Sequence, residues 1–324
     1  MQILANILKR VAYGITLVLL VVVMNFFLLQ LAPGDPVDAL SGVYGAITPE
    51  IREQITQRYG LDKPLLEQLA VYVGNLVRGD MGFSYHFNRD VSELILGRMP
   101  ATLILLLTSL LFSITIGTIL GVLASHNPKG PLSQFITAAA VLGYSTPIFW
   151  TGMLLVILFA SVFPILPIGG MRSVGVPKTG LANVIDVAYH LILPALTLAF
   201  AQMAEFSRLT RAAMLDVLGS DYVRTARAKG LSERRVFFRH GLRNAILPLI
   251  TMIGLQFGTL FAGAIVIETV FNWPGLGRLA FDSVLRRDHP TLLGILLFSA
   301  VLVVVVNQLT ELVYRAADPR IKAA

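Results

Sequence analysis

Cysteine is absent from the 324-residue chain, which excludes disulfides and thiolate metal sites and leaves the redox compartment unread. Histidine is scarce. His86, His126, His190, His240 and His289 include no pair at metal-ligand spacing, so a metal-dependent membrane enzyme loses its best support. There is no Gly-x-x-x-x-Gly-Lys-Ser/Thr loop and no Gly-x-Ser-x-Gly elbow, hence neither a nucleotide-hydrolysing site nor a hydrolase nucleophile. Charged residues make up only 14% of the chain, and no internal repeat is found. What remains is apolar: 55% hydrophobic residues and a mean hydropathy of +0.73, the balance of a chain whose main solvent is the bilayer.

The apolar residues gather into six runs long enough to cross a bilayer, which takes about 20 residues: Val11–Ala32, Ala101–Ala124, Ile136–Phe163, Leu191–Leu209, Ala245–Val270 and Leu292–Val313. Gln202, Glu205 and Arg208 interrupt the fourth. The third carries Pro147, which neighbouring helices accommodate in a membrane. A helical bundle is the expected architecture. Lys9 and Arg10 precede the first run as in a signal peptide, but its apolar length exceeds a signal core. "APGDP" at Ala32–Pro36 also reads as a turn into a folded loop, so an uncleaved anchor is expected.

Lys and Arg in the shorter loops set the orientation. With the N-terminus inside, inner segments hold fifteen of the 26 basic residues, nine of them from Arg208 to Arg243, whereas outer short loops hold five. The other six lie in the 33–98 loop, which carries nine acids and is too long for the rule to govern. Both termini are expected in the cytoplasm. The chain then divides into residues 1–32 with the first span, an extracytoplasmic loop at 33–98, a five-helix core at 99–313 with an inner loop at 212–244, and a tail at 314–324. In the 33–98 loop, Thr48 and Pro49 form a helix start and Gly60 a stop. Leu65, Leu69, Tyr72, Val73 and Leu76 then recur at helical spacing, so a small helical cap is expected.

Ion-driven carriers usually need an ionisable group near mid-membrane. Here Glu205, Arg208, Glu268 and Glu311 fall near the ends of the runs, leaving Gln202, Gln256, Asn307 and Gln308 more deeply embedded. These neutral groups either tie helices together or line a solute path, with energy supplied from outside the chain. Gly117 with Gly121, and Gly254 with Gly258, allow close helix approach within the protein or with another subunit. Between the fifth and sixth runs, "FNWPGLGRL" places Trp273, Pro274, Gly275 and Gly277 in a tight turn, expected to fold back toward the mouth of a pathway; the alternative is a plain connection.

The most polar stretch is "GSDYVRTARAKGLSERRVFFRHGLRNAILPLI" from Gly219 to Ile250. Ser220 or Asp221 can cap a short helix through Lys229, Gly230 suits its stop at positive φ, and Ser232 can start a second helix leading into the fifth run. Tyr222, Thr225, Ala226 and Lys229 share one side of the first helix, with Arg224 and Arg227 beside them. A small-residue face next to a basic one suits docking into a groove on another protein. Basic charge alone equally suits a positive-inside loop at anionic lipid.

This stretch resembles the cytoplasmic "EAA" loop of ABC importer permeases, in which Glu-Ala-Ala is followed by three residues, Gly, nine residues and Ile-x-Leu-Pro. Ala226 and Gly230 match. Arg224 and Thr225 replace the first two positions, and "HGLR" at His240–Arg243 fills the last. The departures resemble the variant of the dipeptide, oligopeptide and nickel branch, in which "YVRTARAKGL" and "RNAILP" recur. The resemblance extends through "YGLDKPLLEQ" at 59–68, "GDMGFS" at 79–84, "GYSTPIFW" at 143–150, "ETVFNWPGLGRL" at 268–279, "RRDHP" at 286–290 and "DPRI" at 318–321. Of the two permease types in that branch, it is similar to the B-type subunit.

The resemblance implies an all-α, six-transmembrane-helix permease of the type I importer kind in a bacterial inner membrane, with a small extracytoplasmic helical loop domain. It implies a second homologous permease completing a heterodimer, two cytoplasmic ABC ATPases, and an extracytoplasmic solute-binding protein. Cargo would be di- or oligopeptides, with nickel chelates or glutathione as alternatives. ATP and Mg would be bound by the partners, this chain holding no cofactor, no metal and no catalytic residue; no nucleic-acid partner is expected. The coupling helix would comprise Tyr222, Arg224, Thr225, Ala226, Arg227, Lys229 and Gly230. Tyr144, Gln202, Gln256, Asn272 and Trp273 are the candidates for the pathway or gate. A membrane-embedded enzyme or self-sufficient secondary carrier is the competing class.

Overall fold

The computed structural model describes residues 2–31, 37, 48–175 and 178–317. The expected turn at Ala32–Pro36 and the closing "DPRI" lie outside the described residues. Helices dominate, as they must where backbone polar groups have no water to bond. In chain order they are α1 (Gln2–Gln30), α2 (Pro49–Tyr59), α3 (Leu65–Val77), α4 (Val91–His126) after a short hairpin β1 (Phe83–Ser84) and β2 (Arg89–Asp90), α5 (Pro131–Ser145) and α6 (Ile148–Val156). There follow α7 (Gly180–Leu218), α8 (Asp221–Ala228), α9 (Glu233–Arg235), α10 (Arg243–Ala245), α11 (Leu247–Val270), α12 (Leu276–Leu285) and α13 (His289–Ala317).

Among the described residues, α1, α4, α7 and α13 are long and apolar enough to cross a membrane. The fifth run falls on α11, whose 24 residues extend about 36 Å at 1.5 Å per residue. The third run departs from expectation. Ile136–Phe163 is not one straight helix: α5 and α6 meet at a bend of 107°, and a π-helical turn, Ile157–Val162, continues α6. Pro147 has no N–H to give, and the residue before it is driven out of the helical region; Thr146 accordingly stands at φ −90°, ψ 131°. Pro100 and Pro194, by contrast, stay inside α4 and α7.

The chain forms two compact units, Met1–Thr102 with Gly275–Val305, and Leu103–Pro274 with Val306–Ala324. In the first, α2 starts and stops where the sequence indicates: Thr48 accepts the Ile51 N–H at 3.4 Å, and Gly60 ends the helix at φ +63°. Ile55 is fully buried against Leu29, Val37 and Leu293. Burial pushes the Tyr59 phenol up to about 12. Arg58 Nη2 lies 2.8 Å from both Asp80 oxygens. Asn25 ties α1 to α13 by donating to the Leu293 carbonyl at 3.1 Å. Asp288 accepts the Ser84 hydroxyl at 2.5 Å and the Thr291 hydroxyl at 2.7 Å, pinning the hairpin to the start of α13. Leu276, Leu279 and Ala280 of α12 pack on Val91, Ile95 and Ile295.

In the second unit, Gly117 and Gly121 bring α4 against α7. A Cβ on Gly121 would lie 2.5 Å from the Ser207 carbonyl and from Thr210 Cβ. Nothing lies within 4 Å of a Cβ on Gly258; the side-chain surroundings of Gly254 lie outside the described residues. Asp186, buried on α7, accepts the backbone N–H and hydroxyl of Ser173 at 2.8 and 2.6 Å and Lys178 Nζ at 2.5 Å. This holds Ser173 and Lys178 on α7.

Candidate functional site

The polar stretch forms an arm projecting from the end of α7. Gly219 ends that helix, Ser220 adopts the extended N-cap conformation at φ −74°, ψ 155°, and α8 runs for eight residues. The Ser220 hydroxyl donates to the Val217 carbonyl at 2.5 Å instead of capping α8. Gly230 sits at φ +77°, where an L side chain is strained. The reversed chain donates from Gly230 N to Arg227 O and from Leu231 N to Ala226 O, at 2.9 and 3.3 Å.

Packing sorts the faces of α8. Val223 and Ala226 turn inward onto Val236, with Val217, Leu218 and Leu231 around them. Ala226 therefore belongs to the arm's own core and not to its outward face. Arg227 is used internally too: Nε and Nη2 meet the two Glu233 oxygens at 2.9 and 3.4 Å. Tyr222, Arg224, Thr225 and Lys229 remain exposed. Tyr222 Oη accepts Asn244 Nδ2 at 3.1 Å, and Arg224 reaches Asp221 at 3.4 Å on the surface.

After Gly230 the helix starts at Glu233, as Ser232 signals, but it widens into a π-helical stretch, Val236–Leu242, before α10 and α11. Periodicity gave no sign of it. Gly241 lies where a Cβ would meet Leu218 Cδ2 and Met214 Cε at 3.2 and 3.3 Å, so the widened turn packs closely on the end of α7. Such stretches often mark functional places in helices.

The candidate pathway residues fall in two places. Gln202 Nε2 donates to Thr259 Oγ1 at 3.2 Å, Thr259 Oγ1 donates to Gln256 Oε1 at 2.7 Å, and Gln256 Nε2 donates to Glu205 Oε2 at 2.5 Å. This brings Gln202 and Gln256 together across α7 and α11. Tyr144, at the end of α5, is exposed and carries the Arg208 guanidinium 5.2 Å from its ring centre. Thr259 escaped selection because a lone hydroxyl in the fifth run gave no signal of its own, and Glu205 and Arg208 because the fourth run ended at Leu209, which put them near its end. The helix in fact continues to Leu218, so Glu205 lies well inside it.

Asn272 and Trp273 terminate α11. Trp273 N donates to Glu268 O at 2.8 Å and Asn272 N to Thr269 O at 3.3 Å, with Asn272 at φ +52°. This paired 6→1 and 5→2 bonding is a Schellman end, with Asn in the place usually held by Gly. Trp273 is fully buried. Gly170 N donates to Phe271 O at 2.7 Å, seating the 163–175 segment on the same helix end.

Long apolar helices with a folded helix–turn–helix arm define a multi-span helical membrane protein. Two solved structures share the fold over 69% of this chain at 16% identity: the MetNI methionine ABC transporter in inward-facing conformations, at a TM-score of 0.56 and 96% of that chain, and an amino acid ABC transporter with histidines, at 0.52 and 94%. Residues 113–323 match the family described as binding-protein-dependent transport system inner membrane component, and residues 3–106 match its N-terminal model. The chain belongs to that family. Similar relatives include the oligopeptide transport system permease protein AppB of Bacillus subtilis, 40% identical over 98% of this chain and 99% of that protein. The di/tripeptide transport system permease protein DppB of Pseudomonas aeruginosa is 41% identical over 96% and 94%, and the dipeptide permease DppB of Escherichia coli 40% over 98% of each. The chain is thus a non-catalytic inner-membrane permease subunit of an ABC importer, a machine that also needs an ATPase and a substrate-binding protein.

Proposed function

We propose that this permease conducts di- and oligopeptides, pairing with a second homologous permease as a heterodimer above two cytoplasmic ABC ATPases and below an extracytoplasmic binding protein. The near-full-length likeness to three permeases named for dipeptides, di/tripeptides and oligopeptides supports the cargo. The Lys and Arg distribution supports cytoplasmic termini and puts the 33–98 loop outside. ATP and Mg belong to the ATPases; this chain binds neither.

The observation that carries the mechanism is the self-packed arm. Val223 and Ala226 fasten α8 to the end of α7 and to Val236, so a push on its exposed side moves α7 and the π-helical lead into α11 as well. Tyr222, Arg224, Thr225 and Lys229 form the contact face for an ATPase, while Arg227 and Gly230 hold its shape. Closure of the ATPases on ATP favours the arrangement whose contacts with α8 are stronger, and that difference in contact energy shifts the spans between inward and outward states. Tyr144, Gln202 and Gln256 line the path, and Asn272 with Trp273 forms part of its gate.

The test is uptake into proteoliposomes. The complete assembly with binding protein and ATP should accumulate a labelled dipeptide, and the chain alone should not. Uptake by the chain alone would favour a secondary carrier; uptake of a nickel chelate or glutathione in place of peptide would sink the peptide assignment.

A further inference from the structure

We infer that Glu205 and Arg208 of α7 form a subsite for the two charged ends of a short zwitterionic peptide, Glu205 taking the α-ammonium and Arg208 the α-carboxylate; this rests on the peptide reading above. Ionisable side chains in an apolar helix are costly unless they face water, a protein partner or a solute. These two lie one turn apart on one side of α7, yet they form no ion pair with each other among the described residues.

Each is drawn to a different neighbour. Glu205 is reached from α11 by Gln256, a side chain 7% exposed, whose Nε2 donates to the carboxylate while the Thr259 hydroxyl lies 2.7 Å from its Oε1 and 2.8 Å from its backbone carbonyl. That bond occupies Oε2; Oε1 has no partner among the described residues. Arg208 is held toward α5 by the Tyr144 ring, which leaves its planar fork of donors, suited to a carboxylate, without an anion among the described residues. Neutral groups alone would tie the two helices together, whereas the relay through Gln202, Thr259 and Gln256 ends on a charged carboxylate. It presets a carboxylate.

Separation fits the ligand. Residues three apart on a helix have Cβ atoms about 5–6 Å apart, and the two side chains lean to opposite flanks. Two residues of extended chain span at most about 7 Å. Because Glu205 reaches toward α11 and Arg208 toward α5, their charged ends stand farther apart than their Cβ atoms, which suits the separated termini of a short peptide better than the adjacent ammonium and carboxylate of a single amino acid.

The experiment measures equilibrium binding to the assembled permease–ATPase complex in nanodiscs, without the binding protein, so that only the membrane subunits select. The probes are Ala-Ala, N-acetyl-Ala-Ala and Ala-Ala-amide. The wild type should bind Ala-Ala at least tenfold more tightly than either blocked peptide. Glu205→Gln should weaken Ala-Ala at least tenfold yet leave the N-acetyl peptide unchanged, and Arg208→Gln should do the same for the amide; Glu205→Asp and Arg208→Lys should recover part of each loss. Co-purification and melting temperature report whether each variant folds. A variant that fails to assemble is replaced by its conservative counterpart, which must still show the end-matched loss in smaller measure. Equal effects on all three peptides, no effect, or a loss that follows anionic lipid content in place of the blocked end would each overturn the subsite while peptide import stands. If the complete wild-type transporter with its binding protein takes up no peptide at all, the functional reading fails and this subsite with it.

Discussion

Replacing Gly121 by Ala probes a close contact between α4 and α7 in the second unit. A Cβ there would sit 2.5 Å from the Ser207 carbonyl oxygen and 2.5 Å from Thr210 Cβ. Neither atom is the free end of a flexible side chain, and carbon contacts settle at about 3.5–4.0 Å, so α4 and α7 must part by roughly 1 Å. Overpacking of this kind costs about 1–3 kcal/mol, partly offset by the gain of about 1 kcal/mol that Ala brings over Gly in a helix. Gly258→Ala is the matched control: it brings the same propensity gain, with nothing within 4 Å to meet. The two variants should therefore differ by about 1–3 kcal/mol, an apparent melting temperature gap on the order of 5 °C, read by thermal unfolding of the purified chain in one detergent. Equal melting temperatures would refute the close contact between α4 and α7.

Gly230→Val should cost about 1–2 kcal/mol from backbone strain alone, because a Cβ at Gly230 meets nothing within 4 Å; Gly230→Asn should cost less, and a thermal melt of the series checks the order. Trp273→Ala, at a fully buried position, should lower stability by about 3–5 kcal/mol, measured by denaturation in mixed micelles. For Tyr59 the folded pKa of about 12 lies above the ordinary 10.0, so the folded state holds its proton longer. The stabilising effect is complete below pH 10 and is lost as pH rises through about 12; burial pushes Tyr72 up to about 12 as well, so tyrosinate absorbance should show a late-titrating phase whose amplitude Tyr59→Phe lowers by one phenol. Asp186→Asn should loosen the chain around Ser173, seen as faster limited proteolysis there than in the wild type.

Local chemistry made several boundaries readable. Thr48, Pro49 and Gly60 bracket α2 because capping and positive φ are decided by adjacent residues, and Gly230 turns the arm for the same reason; Ser220 and Ser232 stand at the N-cap positions of its helices without a side-chain capping bond. Tertiary context decided the rest. Pro100 and Pro194 sit within continuous helices while Pro147 opens a 107° bend, so the residue type alone does not say which outcome follows. Periodicity placed Ala226 beside Tyr222 and Thr225, but an eight-residue helix needs its own buried stripe, and Val223 with Ala226 supplies it. The same packing explains why Arg227, grouped with Arg224 by charge, is spent on Glu233. The polar relay around Glu205 was out of reach because it joins residues 51 positions apart.

That division of labour within α8 sharpens the test of the coupling role. The informative variant is Arg224→Glu with Lys229→Glu, which reverses charge on the exposed face and leaves the Arg227–Glu233 bridge and the buried Val223 intact. In the complete reconstituted transporter, solute-stimulated ATP hydrolysis and peptide uptake should both fall at least tenfold while the melting temperature of the chain stays unchanged. Full hydrolysis and full uptake from a well-folded variant would contradict the account, leaving the arm a positively charged loop with no part in coupling.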